Sequence, residues 1–288
     1  MSSCRSGCTT DLVSSPRQAD SATAHLWAGK TTVFASQHDQ RFSYCLYVPA
    51  GLAPEPAPLV VVQHGSERNF LLYRDHLAEF ADEHGAVVLA PLFPAGIDDP
   101  DDVHNFKFID YHGIRFDQAL LAMVDEVAAR FPVDAARFYL HGFSGGGQFA
   151  HRFFYLHPDR LAAVSVGAPG RVTLIDGTRP WWLGTADLEQ VFGQGLDLDA
   201  ARRVPVLMVV GEDDVDTWEI NNVGDSNWLD GADGAGETRI DRLRALERNW
   251  TDHGIDVRFA LVPGVAHRGS LVLPAVRDFF GELLRARR

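Results

Sequence analysis

The chain has 288 residues, 46% hydrophobic and 23% charged, enough apolar mass to bury a core without disulfide or metal staples. Its 26 glycines and 15 prolines show no period, which excludes collagen-like and low-complexity classes. A formal net charge of −13 sets an acidic surface against nucleic-acid phosphates, and no apolar stretch reaches the roughly 18 residues of a membrane span.

Residues 1–25 are rich in small polar side chains and lack the apolar region of a secretory signal, so a disordered tail and a cytoplasmic chain are expected, or a secreted one where a leader precedes it. Cys4, Cys8 and Cys45 are too few for a disulfide framework, and Cys4 and Cys8 have no partners at zinc-like spacing. Thr31–Phe34 and Phe42–Val48 are predicted strands of a hairpin turned at Gln37–Gln40. Four prolines break Pro49–Pro58, after which Leu59–Gln63 is a continuous apolar run typical of a strand buried on both faces. A helix is predicted over Tyr73–His84, stopped by Gly85, then a strand over Ala86–Ala90. Pro91–Phe108 is irregular. Its Asp98, Asp99, Asp101 and Asp102 lack the order of a calcium loop and are expected to form a solvated surface.

Gly113–Phe131 has helical periodicity through Phe116, Leu120, Met123, Val124 and Val127. A strand over Arg137–His141, a turn over Gly142–Gly147 and a helix over Gln148–Leu156 follow. Leu161–Val166, Val204–Val210 and Val257–Val262 are further strands, with helices over Asp241–Trp250 and Leu273–Arg285. This alternation predicts an α/β fold, a doubly wound, mostly parallel sheet with helices on both faces, as a single domain over 26–288. Two stretches interrupt it, an insert at about 168–203 and a long loop at about 216–240. Loops of that length are often functional, and both are expected to supply lid or pocket wall.

The sharpest chemical signal is Gly142-Phe143-Ser144-Gly145-Gly146 between a predicted strand and helix. A serine there sits on a sharp turn with its hydroxyl above the sheet, and Gly142 and Gly146 let strand and helix cross closely. A phosphate loop is excluded, because G-x-x-x-x-G-K-[ST] is absent and no lysine lies near the turn. A serine hydroxyl needs a base and a group that orients the base, and in such sheets the order is Ser, acid, His. Val204–Val210 leads into Gly211-Glu212-Asp213-Asp214, and Val257–Val262 into Pro263-Gly264-Val265-Ala266-His267. Each places its polar residue on the rim where the turn lies.

With His64-Gly65-Ser66 after the third strand, these segments make the chain resemble the α/β-hydrolases, and within them the serine esterase and polyhydroxyalkanoate-depolymerase-like branch. The resemblance implies Ser144 as nucleophile, His267 as general base and acid, and Asp214 as the triad acid, with Asp213 and Asp216 as the alternatives. It also implies an oxyanion hole from the backbone N–H groups of Ser66 and Gly145. No cofactor or metal is implied. Gly145 stands where the branch often carries alanine or another small residue, and no substrate-binding module is expected within these 288 residues, two departures from the polymer-degrading members.

Among the other histidines, His64 and His141 read as structural. His104 or His112 could take a pocket role, and His151 and His157 lie on or beyond the helix after Ser144. Phe143, Trp181, Trp182, Trp218 and Phe70 are the candidate apolar walls for an aromatic or acyl group, although Trp181 and Trp182 would equally serve as a small core of the insert. The expected function is hydrolysis of a small-molecule carboxylic ester through an acyl-enzyme. A peptidase or amidase, a lactonase or polyester depolymerase, and a hydrolase-like binding protein are the competing readings. Oligomeric state is not legible.

Overall fold

The computed structural model describes residues 23–287 apart from 221, 222, 225 and 226. The expected tail therefore lies outside the described residues up to residue 22, and Ala24–Trp27 of its continuation form a 3-10 turn. The elements that follow are β1 (Gly29–Ala35), β2 (Ser43–Val48), β3 (Leu59–Gln63), α1 (Phe70–His76), α2 (Ala78–His84) and β4 (Val87–Leu92). A two-residue hairpin, β5 (Asp110–Tyr111) and β6 (Ile114–Arg115), leads into α3 (Phe116–Ala128), β7 (Phe138–Phe143), α4 (Gly145–Leu156) and β8 (Leu161–Gly167). The insert carries α5 (Leu188–Phe192) and α6 (Leu198–Ala201), and the chain closes with β9 (Val206–Gly211), α7 (Arg239–Asp252), β10 (Val257–Val262) and α8 (Gly269–Ala286).

Eight strands form one sheet in the order β1-β2-β4-β3-β7-β8-β9-β10. β2 runs antiparallel to both neighbours, and every pair from β4 to β10 is parallel. β3, β7, β8 and β9 are buried at every position, whereas the edge strands β1 and β10 are largely not. Successive residues of a strand face opposite ways. Phe138 of β7 accordingly meets Phe153 of α4, and Tyr139 meets Phe280 of α8. Helices α1, α2 and α8 pack together on one face. On the other, Phe116, Phe93 and Phe149 link α3 to α4, and Trp250 of α7 packs on Phe154. This is the α/β-hydrolase architecture expected from the alternation. No helix among the described residues is long and apolar enough to cross a membrane.

Most element boundaries move by a few residues from the sequence expectation, and three of the changes have a local reason. The helix predicted over Tyr73–His84 is two short helices that meet at Leu77, a fully buried side chain. The helix predicted from Gly113 starts at Phe116, because His112 and Gly113 take positive φ and turn the β5–β6 hairpin. Helix α4 begins at Gly145, three residues before the expected start, so Ser144 stands at its N-cap.

The chain runs from β3 outward to β4 and then returns to β7 on the other side of β3. That reversal opens a crevice between the C-terminal ends of β3 and β7, the place where open α/β sheets bind ligands.

Candidate active site

Ser66 follows β3, Ser144 follows β7, Asp214 follows β9 and His267 follows β10, so four parallel strands deliver them to one rim. Ser144 has φ 58° and ψ −117°, a conformation that costs an L residue on the order of 1–3 kcal/mol. Close packing holds it there. A Cβ on Gly146 would overlap the Gln63 carbonyl and lie 2.8 Å from that of His64, so only glycine lets the first turn of α4 rest against the end of β3.

His267 Nε2 lies 3.0 Å from Ser144 Oγ, and its Nδ1 lies 2.7 Å from Asp214 Oδ2. Of the three carboxylates left open by sequence, only Asp214 is buried, while Asp213 and Asp216 are exposed. The two segments are bolted together by backbone bonds from the Glu212 and Asp213 N–H groups to the Val262 and Val265 carbonyls. That coupling brings residues 53 positions apart into contact. The other Asp214 oxygen, Oδ1, faces Arg239 Nη1 at 3.6 Å and makes no hydrogen bond among the described residues. Arg239 is buried and donates to the Asp216 and Trp218 carbonyls. Burial lowers its ionisation against the opposing pull of Asp214, Glu219 and Asp216.

The turn after β3 is fixed from two sides. His64 is fully buried, and burial pushes its imidazole down to about 3, so it is neutral. Its Nε2 accepts the Phe93 N–H at 2.9 Å, which leaves Nδ1–H to donate to the Gly65 carbonyl at 2.8 Å. Arg68 donates to the carbonyls of Ser66, Phe93 and Val103 and to Asn105 Oδ1. Gly65 and Ser66 consequently lie against Ser144 and Gly145. As the first residue of α4, Gly145 has an N–H that the helix cannot satisfy.

A cleft of about 670 Å³ opens over Ser144 and His267. Phe143 and Trp218 line it as expected, with Trp218 half exposed and edge-on to the His267 ring at 5.8 Å. Phe70, Trp181 and Trp182 do not line it. Helix α1 turns Leu72 and Tyr73 toward the cleft, which leaves Phe70 in the core. Trp182 packs with Phe108 and Ala232 in a separate apolar cluster, and Trp181 packs edge-on against Phe192. Both indoles flank the buried Arg152 guanidinium. Neither tryptophan is pocket wall, since no residue of 168–203 is among the described residues lining the cleft; Trp182 instead packs the insert against Phe108 and Ala232, outside it.

Sequence reasoning missed Tyr73, Glu67, Asn69, Glu219 and Arg268 in the lining, as well as Arg239 behind Asp214. None lies in a motif, and the chain reaches the cleft at these points through loops and one short helix. His112 is exposed and stacks on Tyr111, His104 bonds Lys107, His151 is spent on Gly147 and Thr173, and His157 pairs with Asp117. His141 bonds Ser165. Among the described residues no three His, Cys, Asp or Glu side chains converge as metal ligands.

The fold is that of the α/β-hydrolases, and what the chain is similar to within that fold are esterases and depolymerases. The family described as Esterase PHB depolymerase matches residues 42–174, a span that includes Ser66 and Ser144 and stops before Asp214 and His267. Among solved structures, the poly(3-hydroxybutyrate) depolymerase LpqC from Bordetella parapertussis is 25% identical, with a TM-score of 0.69 over 90% of this chain and 94% of that one. The poly(aspartic acid) hydrolase-1 from Sphingomonas sp. KT-1 is 20% identical, with a TM-score of 0.72 over 87% and 98% of the two chains. A curated relative, the bifunctional acetylxylan esterase/xylanase of Neocallimastix patriciarum, is 28% identical over 122 residues, which is 42% of this chain and only 17% of that protein.

Proposed function

We propose that this protein hydrolyses carboxylic esters through an acyl-enzyme formed on Ser144. The observation that carries the proposal is the continuous chain from Ser144 Oγ through His267 to the buried Asp214, at 3.0 and 2.7 Å. Asp214 accepts the Nδ1–H of His267, which leaves Nε2 free to take the Ser144 proton as Oγ attacks the ester carbonyl. The carbonyl oxygen becomes an oxyanion next to the Ser66 and Gly145 N–H groups. The imidazolium then protonates the leaving alcohol. Water enters, gives its proton to the same nitrogen, and releases the acid and Ser144. The esterase and depolymerase relatives support ester hydrolysis in general. The depolymerases among them keep polyesters within the substrates to be tried.

Ser144→Ala is expected to abolish p-nitrophenyl ester turnover and fluorophosphonate labelling, with circular dichroism and melting temperature near wild type. Undiminished turnover would sink the assignment. Matched ester and anilide substrates separate an esterase from an amidase, and esters of graded chain length, lactones and a short polyester read out the acyl preference.

A further inference from the structure

The chain's formal charge is −13 and it has only two lysines, yet one of them is buried beside the candidate oxyanion hole. Lys107 is 3% exposed. A Cβ built on Gly145 would lie 2.9 Å from Lys107 Cε and 3.3 Å from the Ser66 backbone nitrogen. Lys107 Cε thus abuts the space a side chain at position 145 would fill, a space that also borders the Ser66 backbone nitrogen. Glycine at 145 leaves room for the lysine.

The ammonium is held in place. Lys107 Nζ lies 2.8 Å from His104 Nδ1, and its own carbonyl accepts from Arg152 of α4, which fixes the backbone on which the side chain stands. We propose that Lys107 is a positioning residue for the reaction: its ammonium, buried beside Gly145 and Ser66, sets a positive potential at the oxyanion that those two N–H groups bind. This rests on the reading of Ser144 as nucleophile. The effect is electrostatic and preorganised, because the ammonium is already desolvated and needs no reorientation as charge develops. Lys107 does not line the cleft, so it touches no substrate atom and its influence reaches the oxyanion through space.

The charged groups around it come from every neighbouring segment. His104 and Asp102 stand on its own loop, the neutral His64 and Arg68 on the turn after β3, Arg152 on α4, and Arg171 and Glu219 on the two long loops. Burial lowers the Lys107 amine to about 8. Glu219 opposes that shift, Arg68 and Arg171 add to it, and Asp102 opposes it. The charge is therefore present below pH 8 and is lost as pH rises through about 8. The proposal requires kcat to fall across that range while KM stays level.

The test is the pH profile of kcat and KM for a p-nitrophenyl ester between pH 6 and 10, in wild type, Lys107→Met and Lys107→Gln. Glutamine keeps an N–H donor for His104 and removes the charge. Both variants are expected to lose on the order of 10- to 100-fold in kcat, less than deletion of a direct oxyanion donor, with KM within about twofold and no alkaline limb near pH 8. A folded Lys107→Gln protein with wild-type kcat and a wild-type alkaline limb would overturn the proposal, as would a wild-type kcat that is flat from pH 7 to 10. Ser144→Ala is run alongside. Activity surviving in that variant overturns the nucleophile assignment itself, whereas an inert Ser144→Ala beside an unaltered Lys107→Gln overturns the role of Lys107 alone.

Discussion

Replacing Asp214 with asparagine keeps the side chain's size and removes its charge from a pocket where it is 1% exposed. The amide has two orientations. With its oxygen toward His267, its NH2 would face the Arg239 guanidinium that now sits 3.6 Å from Oδ1, donor against donor. The favoured orientation turns the oxygen to Arg239 and the NH2 to His267 Nδ1. The imidazole must then accept at Nδ1 and carry its hydrogen on Nε2, the atom 3.0 Å from Ser144 Oγ, so it can no longer take the serine proton. A tautomer inversion of this kind lowers kcat on the order of 10⁴-fold, about 5.5 kcal/mol of barrier. Arg239 also loses a buried counter-charge. It keeps the Asp216 and Trp218 carbonyls, so the stability cost belongs near the lower end of the range for a broken buried pair, about 3 kcal/mol. The assay is steady-state hydrolysis of a p-nitrophenyl ester, with urea unfolding for stability. Asp213→Asn and Asp216→Asn serve as controls, and as exposed substitutions they should stay within about twofold of wild type. An Asp214→Asn enzyme within tenfold of wild type would refute the reasoning, as would an equal loss in either control.

The two groups of tryptophans should part company experimentally. Trp218→Ala is expected to alter KM and kcat with little change in stability, because the side chain is half exposed on the cleft. Trp182→Ala should leave KM level and cost about 3–5 kcal/mol of stability, because its ring fills a buried cluster. Chemical denaturation and ester kinetics on both variants decide it, and a KM effect from Trp182 would count against the separation. Acid should weaken the fold through buried histidines. His141 has its ionisation lowered to about 4 by burial, so between pH 6.5 and 4 the unfolded chain binds its proton and the native chain does not. Stability falls with pH across that window by about 1.4 kcal/mol per pH unit from this residue. In urea titrations wild type should therefore lose stability faster than His141→Leu, and parallel slopes would contradict this.

Much of the sheet is legible in the sequence because a strand buried on both faces leaves an uninterrupted apolar run. Leu59–Gln63 is such a strand and is bounded as expected; the partly buried edge strand Val257–Val262 is bounded as expected too, although Arg258 interrupts its apolar run. The Ser144 turn is equally legible, since close crossing of strand and helix leaves room for little but glycine beside the serine. Where boundaries shifted, the cause was local or tertiary: the positive-φ pair His112 and Gly113, and the break between α1 and α2 at the buried Leu77.

The sequence by itself determined the alternation of strand and helix and the serine turn, because backbone geometry and hydrophobic period act within a few residues, while the acid and the histidine entered only as what the resemblance implies. Only the tertiary structure decided that Asp214 rather than Asp213 or Asp216 meets His267, that Trp182 packs the insert against Phe108 and Ala232, and that Lys107 stands beside Gly145. Those outcomes depend on which loops pack together across the sheet, and packing between residues tens of positions apart leaves no period in the sequence.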